Sequence, residues 1–268
     1  MSLTMRLLEA YWKIEQRIAP GLRNNQDAYR DILSDWVTQG IRWLDLGCGR
    51  AILASWHRPR EKQLVSRAKL VVGLDPHLAS LIRHGTISAL VCGNGSTLPF
   101  ADNSFDLVTA NMVLEHLADP SAQFLEIRRV LDSQGVFLCH TPNVLGYTTM
   151  FARLLPEFLK KRLIALVQRR KAADVFKTYY HANSRRRLRR IAKESGLGVI
   201  DLSMTLSSAE LALVTPIAAL ELLWIRALMS PRLEALRPSI IGAFRKSELV
   251  TDGTASQSSA QPAQGAHD

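Results

Sequence analysis

The sequence of 268 residues has no long apolar run. A strongly apolar stretch in the second half, Leu211 to Leu220, is closed by Glu210 and Glu221. That is far short of the roughly 20 residues a membrane-spanning helix needs. The opening MSLTMRLLEAYWKIEQ carries a charge every few residues and so lacks a signal-peptide core. No sequence signal takes the chain through a membrane, and a cytoplasmic protein is expected. Cysteine is scarce and odd in number: Cys48, Cys92 and Cys139 stand at no metal-ligand spacing, each in or beside a predicted strand. Reduced, buried thiols are expected, with no zinc site and no disulfide framework. Internal repeats are absent. Acidic residues are missing from one region: residues 150–200 hold 3 Asp or Glu against 14 Lys or Arg. That local balance of +11 accounts for the whole net charge of +10, so it points to a partner rather than to the fold.

The remainder is of ordinary globular make-up, with 47% hydrophobic and 22% charged residues, enough for one large core and one domain with an insertion. Strand-like runs recur at residues 41–47, 69–75, 88–94, 105–111 and 135–141, mostly as continuous apolar stretches, the mark of strands covered on both faces. Between them, residues 51–68 and 120–131 are long enough for helices, the second with Phe124, Ile127, Val130 and Leu131 at helical spacing. Strand and helix in alternation predict a parallel, doubly wound sheet. Further on, residues 156–171 read as an amphipathic helix, with Leu159, Leu163, Leu166 and Val167 on one face and Lys160, Lys161, Gln168 and Lys171 elsewhere. Residues 184–195 read as another helix, stopped by Gly196. A strand from 196, an apolar helix near 207–229 and a last strand at 239–246 complete the pattern, and the Ser, Ala, Gln and Gly-rich tail from Ser247 is expected to be disordered.

In such sheets ligands bind beyond the carboxyl ends of the strands. The first strand ends in LDLGCGR, where Gly47 and Gly49 permit a tight turn and amides entering the next helix can face a negatively charged group. The second ends in Asp75, an acceptor-only carboxylate able to take both hydroxyls of a ribose. Together they ask for a nucleoside carrying an anionic group. Ile52 stands where a third glycine would complete a dinucleotide loop, which disfavours a pyrophosphate.

Four stretches, LDLGCGR, VVGLDPH, NGSTLPFADNSFDLV and VLEHLADP, resemble in order and spacing the class I S-adenosylmethionine-dependent methyltransferases, in the branch of the ubiquinone and menaquinone enzymes. The resemblance covers about residues 41–145. It implies an α/β, Rossmann-like methyltransferase fold, with a mostly parallel seven-stranded sheet, helices on both faces and helical insertions in the C-terminal half. It divides the chain into an N-terminal helical cap at 1–40, a methyltransferase domain at 41–246 with insertions at 150–195 and 206–238 as an acceptor lid, and a tail at 247–268.

The resemblance also implies roles. Asp45, Gly47, Cys48 and Gly49 would surround the methionyl part of S-adenosylmethionine, and Asp75 would hold its ribose. Pro76 and His77 would line the adenine. Asn94, with Gly95 and Ser96, would form an adenine clamp, Asn94 replacing the usual aspartate without its charge. Asn111, Met112 and His116 would border the junction between cofactor and acceptor. Ala51 departs from a glycine often found in the first loop.

Beside these stand blander readings. Glu115 and His116 read as cap and loop contacts rather than as metal ligands, since adjacent residues do not share a helix face. His140 is the candidate base, with loop hydrogen bonding as its alternative. Tyr179, Tyr180 and His181 read as a lid or as packing. Methyl transfer asks mainly for alignment and exclusion of water, because the sulfonium already activates the methyl group. The expected acceptor is a small molecule, lipid-linked, quinone-like or a glycan, with peripheral contact to an anionic inner membrane face. The alternatives are an RNA methyltransferase using the basic region, though no RNA-binding module or Asn-Pro-Pro-Tyr motif is seen, and a non-catalytic cofactor-binding protein. Oligomeric state is not read from the sequence.

Overall fold

Alternation along the apolar runs decides which residues face which layer. The computed structural model describes residues 3–154, 177–209 and 215–247. Strands β1 (Arg42–Leu46), β2 (Leu70–Asp75), β3 (Ala89–Cys92), β4 (Phe105–Asn111) and β5 (Leu131–Pro142) are parallel neighbours, joined by β6 (Leu197–Thr205) and β7 (Ser239–Lys246). The spatial order is β3-β2-β1-β4-β5-β7-β6. β7 runs antiparallel between β5 and β6.

Helices α1 (Leu3–Ile18) and α2 (Asn25–Trp36) precede the sheet; α3 (Arg58–Arg67), α4 (Leu78–Leu81) and α5 (Pro120–Val130) connect its strands. Then come α6 (Tyr147–Leu154), α7 (Arg185–Glu194) and α8 (Thr215–Leu228). One sheet face, with Leu44, Val108 and Phe137, packs on Phe124 and Ile127 of α5 and Leu188 and Ile191 of α7. The other, with Trp43, Leu107 and Leu138, packs on Tyr29 and Leu33 of α2 and Leu64 of α3. Side chains two apart on each strand share a face, so the two cores are separate layers. A third, smaller core joins α1 and α8 through Tyr11, Ala218, Leu222 and Ile225, with Tyr147 of α6 packed against it.

Three expectations change. The helix expected from residue 51 begins at Arg58, after a 3-10 turn at Ser55–His57. Pro59 explains it: proline fits the first turn of a helix but lacks the N–H an interior position must donate. The loop before it is held by Glu61, fully buried, whose carboxylate accepts from the Leu53 N–H at 2.9 Å. So the glycine turn does not run directly into a helix. Second, Cys48 and Cys139 are buried but Cys92 is exposed, because β3 is the edge strand. Third, His140, read as a candidate base or a loop hydrogen-bonding group, lies buried inside β5 rather than in a loop. The amphipathic helix read at 156–171 and the tail after residue 247 lie outside the described residues.

Candidate active site

Gly47 and Gly49, at the carboxyl end of β1, have φ of +65° and +51°, a left-handed backbone that side chains resist. A Cβ on Gly47 would lie 2.5 Å from Val113 Cγ2, so the loop also passes too close to the β4 exit for any other residue. The loop is tied to β2: the N–H groups of Gly47 and Cys48 both donate to the Leu74 carbonyl, at 2.7 and 3.2 Å. The Asp75 carboxylate accepts from the Gly49 N–H at 3.0 Å with one oxygen and from the His77 N–H at 2.8 Å with the other. Each oxygen keeps a further lone pair, and their direction is fixed by these bonds. A small-residue cradle beside an aimed, largely buried carboxylate fits a ribose with an attached amino-acid chain.

Behind the cradle, Asp45 and Cys48 face the protein. Asp45 is buried, its carboxylate accepting from the Thr109 hydroxyl at 2.5 Å, and burial lifts its pKa well above the ordinary carboxylate range. The Thr109 oxygen in turn accepts from the Trp43 indole N–H at 2.7 Å. The Cys48 sulfur packs against Gly73 of β2, where an added Cβ would meet it at 2.6 Å, and burial pushes its thiol pKa up. Both residues therefore position the loop from beneath.

On the adenine side, Pro76 is exposed and its carbonyl accepts from the Cys92 thiol at 3.6 Å. The Asn94 side-chain oxygen, expected to accept from adenine, accepts the Ser96 N–H at 3.2 Å and closes a local turn. Its second lone pair is what remains for a base. Gly95 is backed by Gln123, whose amide nitrogen would lie 1.9 Å from a Cβ there.

Two polar groups flank the ends of β4 and β5. Under α2, the Asn111 side chain accepts from His140 Nδ1 at 2.8 Å and donates to Gln26 Oε1 at 3.2 Å. A donor at Nδ1 makes His140 the neutral tautomer with a bare Nε2, an atom that is buried without a partner. Its ring stacks on Tyr29 with centroids 5.6 Å apart, and burial lowers its pKa to about 4. A base with that pKa is largely unprotonated at neutral pH but accepts protons weakly, so the candidate base is poorly suited to the task. Met112, next in the chain, turns out of β4 with φ +58° and donates its N–H to the His140 carbonyl at 2.8 Å.

On the opposite face, Glu115 is buried at the 3-10 turn Leu114–His116, and burial raises its pKa. Its carboxylate accepts from the Thr141 hydroxyl at 3.2 Å, and the Thr141 oxygen accepts from the Asn183 amide at 2.6 Å. The Glu115 carbonyl accepts the N–H groups of Tyr179 and Tyr180, at 2.8 and 3.2 Å. His116 Nδ1 contacts the Lys177 carbonyl and His181 Nδ1 the Ala118 carbonyl, each at 2.9 Å. The pair at 115 and 116 thus clasps the segment entering α7. Gln26, Tyr29, Thr141 and Asn183 were not singled out from the sequence; each is an ordinary polar residue until the fold brings its partner close.

The family described as a methyltransferase domain matches residues 44–139. The chain is 33% identical over 121 residues to a demethylmenaquinone methyltransferase of Corynebacterium kroppenstedtii, covering 43% of this chain and 49% of that one. It is 32% identical over 121 residues to a ubiquinone biosynthesis O-methyltransferase of Cereibacter sphaeroides, covering 42% and 46%. The chain thus spans about half the length of these curated relatives. Among solved structures, an S-adenosylmethionine dependent methyltransferase from Mesorhizobium loti aligns with a TM-score of 0.54 at 18% identity, covering 82% of this chain and 97% of that one. One from Aquifex aeolicus aligns at 0.50 and 12%, covering 88% and 98%. The strand order with its inserted antiparallel β7, the glycine cradle facing Asp75 and these likenesses converge: the chain has the class I methyltransferase fold, and within it residues 44–139 match a methyltransferase domain.

Proposed function

We propose that the protein transfers a methyl group from S-adenosylmethionine to a small-molecule acceptor carried in or on a lipid phase, of quinone-like or glycan type. The observation that carries the reading is the cradle itself: Gly47 and Gly49 in left-handed backbone, with Asp75 oriented across from them by two N–H donors. Asp75 would hold the ribose, the 47–49 backbone the methionyl chain, and Pro76 with Asn94 the adenine. The bound cofactor supplies an electrophilic methyl group on a sulfonium. The remaining work of the chain is to align an acceptor and keep water out. Asn111 and Met112 would border the acceptor, with α2 covering one side and the 177–183 segment the other. The helices before residue 40 and α8 would act as its cap. His140 would orient Asn111 rather than move a proton, and Glu115 is the carboxyl group nearest in kind to a proton acceptor, lifted by burial.

The test is calorimetric titration with S-adenosylhomocysteine. Asp75→Ala should weaken binding by roughly 100-fold or more, since two charge-assisted hydrogen bonds of about 1.5–3 kcal/mol each are lost. Wild-type protein that gives no heat, or a variant that binds equally, rejects the assignment.

A further inference from the structure

Helix α8 is apolar on two opposite sides. Ala218, Leu222 and Ile225 are buried in the core it shares with α1, and Leu228 is also buried. Leu220, Leu223 and Trp224, at positions i, i+3 and i+4, form a second stripe that is 68%, 56% and 40% exposed, continued by Ala227. A surface helix normally turns polar residues outward; α8 keeps Glu221 and Arg226 between its two apolar sides, so its outer stripe stands as an apolar face that can be covered in turn. The neighbouring helices repeat the feature. Trp12 stands exposed on α1, and Met150 and Phe151 on α6, which is joined to α8 by a hydrogen bond from the Tyr147 hydroxyl to Glu221 at 2.9 Å. Six large apolar side chains on one three-helix unit exceed the scattered singles usual on a protein surface.

The charge pattern says what covers them. The cation-rich region of residues 150–200 begins on α6 itself, beside Phe151, where Arg153 is exposed. It ends on α7, where Arg186, Arg189, Arg190 and Lys193 all face solvent. The start of α7 is tied to the turn Pro231–Leu236, which follows α8, by Arg185 and Glu234 at 2.5 Å. Outside residues 150–200 the chain carries a balance of −1. Phe151 beside Arg153 and Trp224 beside Arg226 match the acyl and headgroup layers of an anionic bilayer, whereas a second copy of this cation-rich chain would bring like charge against like.

We propose that the outer face of α8, with Phe151 and Trp12, docks on an anionic membrane surface. This rests on the reading of a lipid-borne acceptor and gives that reading a surface. The unit follows the carboxyl end of β5 and leads into β7 at Ser239, so docking would open the acceptor side of the sheet toward the lipid.

The test is sedimentation with phosphatidylcholine vesicles containing or lacking phosphatidylglycerol, using full-length protein and Leu220→Ser/Leu223→Ser/Trp224→Ser. Wild type should bind the anionic vesicles and release as salt rises. The variant should lose binding by about tenfold or more and keep its circular dichroism spectrum and its S-adenosylhomocysteine affinity. Brominated lipid should quench wild-type fluorescence more than that of the variant. Three results overturn the proposal: no wild-type binding to anionic vesicles at low salt, equal binding by the variant, or a wild-type dimer that the variant dissolves without any vesicle binding. Cofactor affinity on the same samples separates failure here from failure of the methyltransferase reading.

Discussion

His140 shows how far a single residue is governed by what covers it. Its place at the end of a predicted strand was legible; its burial was not, because Tyr29 reaches it from α2, more than 100 residues earlier in the chain. The consequence is measurable. In the unfolded chain a histidine takes up a proton below about pH 6.5, whereas folded His140 resists until about pH 4. Acid therefore favours the unfolded state, so this contribution to stability is present above 6.5 and is lost progressively as pH falls to about 4. The full loss is about 3 kcal/mol. Denaturant titrations across that window should show a shallower acid decline in His140→Gln than in wild type; equal slopes would mean that the imidazole titrates normally in the fold. Gly47, Gly49 and Asp75 were legible for the opposite reason. A positive φ and a carboxylate at a strand end are needs met by the residue itself, within one βαβ stretch.

Among elements, strands and most helices followed from apolar periodicity and from local stop signals. Ser184 caps α7 through the Arg187 N–H, and Gly196 with φ +69° ends it, as the sequence indicated. The segment before it was read only as lid or packing, because its fastening is distant: Asn183 meets Thr141 across 42 residues. Asn183 is fully buried and donates to the Thr141 oxygen and to the Pro142 carbonyl, at 2.6 and 3.1 Å. Asn183→Ala should cost about 1–3 kcal/mol, leaving buried acceptors without a donor. The amides of Tyr179 and Tyr180 should then exchange with deuterium faster, since their acceptor at Glu115 belongs to the same clasp. Unchanged protection at those two amides would show that the segment is held elsewhere.

At the scale of the whole molecule, the parallel half of the sheet was foreseeable from strand and helix in alternation, but the order of the last two strands was not. Pairing between β5 and β7 links residues about 100 apart in sequence, and no local pattern encodes which late strand goes inside. That arrangement bears on how the chain is made. Among the described residues β7 is the last strand to be synthesised, yet it fills a place between two strands made before it. Until residues 239–246 emerge, β5 and β6 each present an open edge with no partner, the condition under which nascent chains stick to one another. Phe244 and Ile240, fully buried in the larger core, arrive with it. A premature stop after residue 238 would spare every proposed cofactor residue and should nonetheless yield insoluble protein without near-ultraviolet circular dichroism. A soluble product that binds S-adenosylhomocysteine would show instead that the first five strands stand alone. For this chain residues 239–246 close the sheet late, after the strands on either side of them are made, so frameshifts just before them should be as damaging as loss of the cofactor cradle.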